Sequence, residues 1–194
     1  MADLAAVPRV VEAIAAELGP IDVLVSNAGV AESAPFARTR LEQWERHLTI
    51  NATAAFVLAQ AVLPGMLARG WGRIINVASL AGLSGAAYVT AYVASKHALV
   101  GFTRALATEV AGKGVTANAL CPGYVATDMA WNSARNIAAR TGRSYEDAVA
   151  FLARSNPGGR LVEPAEVAAR AVKLLDDDTT NGEAIVIDGS GATR

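Results

Sequence analysis

Residues 73–96 read RIINVASLAGLSGAAYVTAYVASK. The first seven, Arg73 to Ser79, are short and rich in branched apolar residues, which predicts a buried strand. After a small-residue turn, Tyr92 to Ala111 reads as a long helix, closed by Gly112-Lys113-Gly114. A continuous apolar strand followed by a helix is the building unit of a parallel sheet covered on both faces.

The same unit recurs on either side. Upstream, Leu4, Val7, Val11, Ile14 and Leu18 fall at helical spacing, with Pro8 tolerable near a first turn and Gly19-Pro20 as a stop. Ile21 to Ser26 then reads as a strand, followed by a helical stretch from Leu41 to Ala68 whose last turns Pro64 ends or kinks. Downstream come a strand over Val115 to Cys121 and a polar, irregular region over Tyr124 to Arg143. Helices near Tyr145–Arg154 and Pro164–Leu175 follow, and then a last strand over Ala184 to Asp188. With no internal repeat or low-complexity linker, residues 1–194 read as one α/β domain built on a doubly wound parallel sheet.

Composition agrees. The chain is 53% hydrophobic and 18% charged, which fits a packed globule. Its net charge is −1 and its basic residues are scattered, so neither nucleic acid nor a membrane surface is an expected partner. No run reads as apolar enough to span a bilayer, and no signal peptide is evident. The single cysteine, Cys121, cannot form an internal disulfide and reads as a small buried residue, so the expected location is the cytoplasm. Asp176-Asp177-Asp178 is expected to be a solvated loop, not a metal site.

Tyr92 and Lys96, four residues apart, share one helix face. Any helix can carry such a pair, but here the context converges on it. Ser79 ends one strand at the carboxyl edge, where open α/β sheets bind ligands, and Asn27-Ala28-Gly29 ends the strand before. Pro122-Gly123 ends the strand after, with Val125 and Thr127 just beyond, and Asn51 lies within the joining helix. Tyr88 has no lysine four residues on, so Tyr92 is the better reactive tyrosine. His47 and His97 lack an evident partner and read as structural. Trp44 and Trp71 read as packing residues, and so, less firmly, does Trp131.

N-A-G, N-V-A-S, Y-V-A-S-K and P-G-Y-V-A-T, in this order and spacing, resemble the short-chain dehydrogenase/reductase family, as does the closing stretch from Asn181 to Gly189. The resemblance implies a Rossmann-like catalytic domain, NAD or NADP as cofactor, and a small-molecule carbonyl/alcohol pair as substrate. It casts Tyr92 as general acid or base, with Lys96 lowering its pKa and holding the nicotinamide ribose. Ser79 would bond the substrate oxygen, and Asn51 would hold a relay water toward Lys96. Asn27, Ala28 and Gly29 would line the adenosine ribose side of the cofactor, and Pro122, Gly123, Val125 and Thr127 its nicotinamide end. Val115–Met129 and Gly159–Val167 look most like 3-oxoacyl or 3-hydroxyacyl thioester reductases. A homodimer or homotetramer, built through the two long helices, is also implied.

The family normally opens with a strand, a glycine-rich turn and a helix that grip the pyrophosphate. No such glycine pattern occurs in these 194 residues. The sheet is therefore expected to be incomplete, with the family's first three strands absent and roughly two β-α units of about 30 residues missing. The residue that selects NAD over NADP would go with them. Ile21–Ser26 should then form a bare apolar edge. A piece of a longer enzyme is the favoured explanation, over pairing with another chain or a shortened protein that has lost catalysis.

Overall fold

The computed structural model describes residues 3–191. Four parallel strands form its sheet: β1 (Val23–Ser26), β2 (Gly72–Val77), β3 (Val115–Pro122) and β4 (Ala184–Ile187), side by side in chain order. The register pairs Val25 with Ile75, Ile75 with Asn118, and Leu120 with Ile185. Every residue of β3 is buried, the polar Thr116 and Asn118 included, as expected of a central parallel strand covered on both faces.

Alternate side chains feed two cores. On one face, Ile74 and Ala117 meet Val7 and Val11 of α1 (Val7–Leu18), Ala59, Val62 and Met66 of α3 (Ala54–Arg69), and Leu106 and Val110 of α4 (Thr90–Val110). On the other, Ile75, Leu120 and Ile185 meet Leu174, Val167 and Ala171 at α7 (Pro164–Lys173). Val25 points to the same side as Ile75 but stays 47% exposed, so β1 is an edge whose second face is uncovered among the described residues. The stripe on α1 is split likewise: Val7 and Val11 are buried, while Ile14 and Leu18 are exposed.

Two expectations need correction. The stretch Leu41–Ala68 is not one α-helix: α2 (Leu41–Leu48) passes through a π-helical segment, Thr49–Thr53, into α3, and Pro64 lies inside α3 without ending it. The region 124–143 is not irregular, because Asp128–Thr141 forms α5, which packs Ala130 and Ala134 against Ala148 and Leu152 of α6 (Tyr145–Ser155). The acidic triplet lies in a largely exposed loop after α7, as expected, where Asp177 accepts bonds from the backbone and hydroxyls of Thr179 and Thr180, and Asp178 pairs with the buried guanidinium of Arg73. Arg73 also donates to the carbonyls of Gly72 and Leu175 and stacks 4.4 Å from the Trp71 ring.

The helix Leu41–Arg69 is also long and apolar enough to cross a bilayer, an 18-residue stretch of it having a mean hydropathy of 1.6, contrary to the expectation from sequence. Asn51, Gln60 and Pro64 break its apolar run in the sequence. In the fold it packs against α1, β1, β2 and α4.

Candidate active site

The carboxyl ends of β1, β2 and β3 lie side by side, so the loops that leave them share one rim. Asn27-Ala28-Gly29 leaves β1, Ala78-Ser79 leaves β2, and Gly123-Tyr124 leaves β3. The ladder continues for one bond beyond β2, from the Ala78 N–H to the Leu120 carbonyl. Ser79 then turns away and caps a 3₁₀ turn, Leu80–Gly82, its hydroxyl accepting the Ala81 N–H at 3.1 Å. That turn presses on α4: a Cβ on Gly82 would sit 2.8 Å from the Lys96 carbonyl oxygen. Only glycine allows this approach, which brings Ser79 to the first turns of α4.

Tyr92 and Lys96 lie one turn apart near the start of α4. The Ser79 hydroxyl lies beside the Tyr92 phenol and favours its ionised form. Lys96, 4% exposed, donates from Nζ to the Val77 carbonyl at 2.8 Å, and its Nζ lies 5.8 Å from the Tyr92 ring centre. Burial pulls the Lys96 ammonium down to about 8, because an uncompensated charge is costly out of water. Burial also pushes the Tyr92 phenol up; the neighbouring Ser79 hydroxyl works against this, and Tyr124 nearby adds to the rise. Desolvation is the largest influence on the Tyr92 phenol in this structure.

Asn51 sits in the π-helical segment, 2% exposed. Its Oδ1 accepts the Val30 N–H at 2.8 Å, and its Nδ2 donates to the Val30 carbonyl and to Ser95 Oγ, each at 2.9 Å. Ser95 Oγ in turn donates to the Tyr92 carbonyl at 2.7 Å. The amide thus clamps the loop after Gly29 to α4, and a relay water could reach the side chain only through the second lone pair of Oδ1. A Cβ on Gly29 would stand 3.3 Å from Asn51 Oδ1 and 3.6 Å from Lys96 Nζ, so Gly29, Asn51 and Lys96 meet at one point.

The remaining rim residues are more open. Asn27, Ala28 and Thr127 are exposed, while Pro122 is buried and Gly123 and Val125 are partly covered. Gly123 donates to the Ile187 carbonyl at 2.9 Å, and Val125 bridges to Val162. Trp131, partly buried, lines a groove between α5 and α6 with Arg135, Tyr145 and Val149. Cys121 is fully buried behind Ser79, and burial pushes its thiol up to about 11, as expected for an inert residue.

Sequence reasoning missed three participants. Ser95 stands inside the quoted Y-V-A-S-K run, where its position beside Lys96 was the available signal. Tyr124 follows the Pro-Gly pair that was read as the rim. His47 carried no signal beyond its place one turn before Asn51. It is fully buried, its ring meeting Tyr92 edge-on at 6.5 Å between centres.

Comparison with known proteins converges on this arrangement. D-beta-hydroxybutyrate dehydrogenase of Cupriavidus necator is 43% identical over 162 residues, 83% of this chain and 63% of that protein. Acetoacetyl-CoA reductase of Shinella zoogloeoides is 39% identical over 91% of this chain and 70% of its own length. A crystal structure of an actinorhodin polyketide ketoreductase variant with NADPH superposes with a TM-score of 0.91 at 36% identity, covering 97% of this chain and 74% of that one. The chain thus spans about two thirds of the length of the relatives it matches. The model of the short chain dehydrogenase family matches residues 1–138, which include Ser79, Tyr92 and Lys96, and the chain belongs to that family.

Proposed function

We propose that this chain is the catalytic portion of an NAD(P)-dependent oxidoreductase that interconverts a secondary alcohol and a carbonyl. One observation carries the reading: the Ser79–Tyr92 hydroxyl pair lies beside a buried Lys96 ammonium at the carboxyl edge of a parallel sheet. Tyr92 would give a proton to the carbonyl oxygen in reduction and take one from the alcohol in oxidation. Ser79 would hold that oxygen by its hydroxyl, which lies beside the phenol. Lys96, with one N–H given to Val77, keeps donors for ribose hydroxyls and a positive charge near the phenol.

The residues present fit one half of the dinucleotide. Gly29 lets the backbone come close beside Lys96 and Asn51, and the buried Ser26 hydroxyl just before the Asn27-Ala28-Gly29 turn has no hydrogen-bond partner among the described residues. Asn27, Ala28 and Gly29 would lie along the ribose side, and Pro122, Gly123, Val125 and Thr127 along the nicotinamide. NAD(P), when bound, supplies or accepts the hydride. A 3-oxoacyl or 3-hydroxyacyl thioester is the substrate class we favour, in keeping with relatives named for β-hydroxybutyrate and acetoacetyl-CoA. A homodimer or homotetramer through the α2–α3 and α4 faces, in the cytoplasm, completes the proposal. The exposed Phe56, edge-on to Phe102 at 5.7 Å, lies on those faces.

A second reading is a non-catalytic scaffold, favoured by the lack of a glycine-rich phosphate turn in these residues. Titration with NADH and NADPH, followed by nicotinamide fluorescence, separates the two. Micromolar binding weakened by Lys96→Ala, with reduction of acetoacetyl-CoA lost in Tyr92→Phe, is the expected outcome. Failure of the folded chain to bind millimolar nucleotide would exclude its acting as a dehydrogenase by itself.

A further inference from the structure

His47 is a polar residue with no exposed surface, on the turn of α2 that precedes Asn51. Its two nitrogens have unlike partners. Nδ1 lies 2.7 Å from the Gln43 carbonyl oxygen, which can only accept, and Nε2 lies 3.1 Å from the Glu32 backbone nitrogen, which can only donate. The surroundings therefore select one species, the neutral ring with its proton on Nδ1. Glu32 is gripped a second time, its carboxylate 2.6 Å from Arg46, the residue before His47.

Positions 47 and 51 lie on one helical face. From that face, His47 takes the backbone of Glu32 while Asn51 takes both backbone groups of Val30. Three backbone groups of the loop that follows Asn27-Ala28-Gly29 are thereby fixed to α2 and the π-helical segment. The His47 ring also stands at 81° to the Tyr92 ring. One imidazole thus touches both the loop beside the proposed cofactor site and the proposed proton donor.

We propose that His47 is a positioning residue for the reaction: it locks the Val30–Glu32 loop and the Tyr92 ring into one frame, acting as a neutral Nδ1–H imidazole. It touches neither substrate nor cofactor and acts through Tyr92 and the loop. The inference rests on Tyr92 being the proton donor, but its test needs neither nucleotide nor turnover. An inactive chain would thus count against the proposed function and leave this proposal to its own result.

The test uses the whole chain. Long-range ¹H–¹⁵N correlation spectra of the histidines should show His47 protonated on Nδ1 and bare on Nε2, with His47→Gln assigning the signal. The Tyr92 phenol is then titrated by tyrosinate absorbance after stopped-flow pH jumps, using Tyr92→Phe to identify its contribution. In His47→Ala, water entering the vacated space should lower the Tyr92 midpoint by roughly half a unit or more, as desolvation is relieved. The Glu32 amide resonance should move with it. His47→Gln, which can bond Glu32 but carries no ring, should keep the Glu32 amide near its place while the Tyr92 midpoint still falls. It also decides the case should His47→Ala fail to fold. A proton on Nε2, or a Tyr92 midpoint unmoved in a folded variant, would overturn the proposal.

Discussion

Lys96 is where folding and the proposed chemistry pull against each other. Its ammonium titrates near 8 in the fold, against 10.5 for an ordinary lysine, because burial disfavours the charged form. Between those values the unfolded chain binds more protons than the folded one, so stability from this group should rise as the pH climbs from about 8 to 10.5. Below 8 both states are charged, and the full penalty, on the order of 3 kcal/mol, is present. Lys96→Met should flatten that rise in urea unfolding midpoints taken across the window, and should raise stability at pH 7, while weakening nucleotide binding. Equal pH slopes in the two proteins would mean that Lys96 is more hydrated than its surroundings indicate. Asn51 shows the opposite balance, since its polar atoms are matched to backbone groups. Asn51→Ala would strand the Val30 N–H and carbonyl and should destabilise by about 2–4 kcal/mol, measured by the same unfolding curves.

At the scale of elements, strands were legible because a buried parallel strand is short and mostly apolar, as in Arg73–Val77 and Val115–Cys121. The pairing of Tyr92 with Lys96 was legible because they are one turn apart on a helix whose start lies near a strand end. Element α5 was not. Its buried face is made of Ala130 and Ala134, which contrast weakly with the Asn, Arg and Thr around them, so no apolar stripe marks it. The π-helical segment around Asn51 had no marker either, because its widening is settled by contacts to Val30 and Ser95 that lie far along the chain. The partner that His47 holds was hidden for the same reason: it is a backbone N–H fifteen residues away. The α5–α6 contact makes its own prediction. Ala134→Leu adds bulk where Ala134 is fully buried, and should cost about 1–3 kcal/mol locally. Hydrogen exchange should speed in α5 and α6 and stay unchanged in β2 and β3; uniform loosening would show instead that this hairpin folds as one unit with the sheet.

At the scale of the whole molecule, the covered and uncovered surfaces are unevenly shared. Helices α1, α3 and α4 seal one sheet face, whereas the other is sealed by α7 only over β2 to β4. Edge strand β1 therefore presents unpaired backbone groups with Val25 about half exposed beside them, which favours strand-to-strand pairing. The helical faces around Phe56 offer a different contact, of side chains without backbone pairing. Two substitutions separate them. Lysine at an edge opposes pairing by charge, so Val25→Lys should suppress any open-ended, concentration-dependent growth while leaving a discrete dimer or tetramer intact. Phe56→Glu should dissolve the discrete species and leave edge growth as it was. Sedimentation velocity across a concentration series reads both. If Val25→Lys also abolished the discrete species, the edge and not the helical face would be the assembly surface. The small sheet would then be completed by another chain.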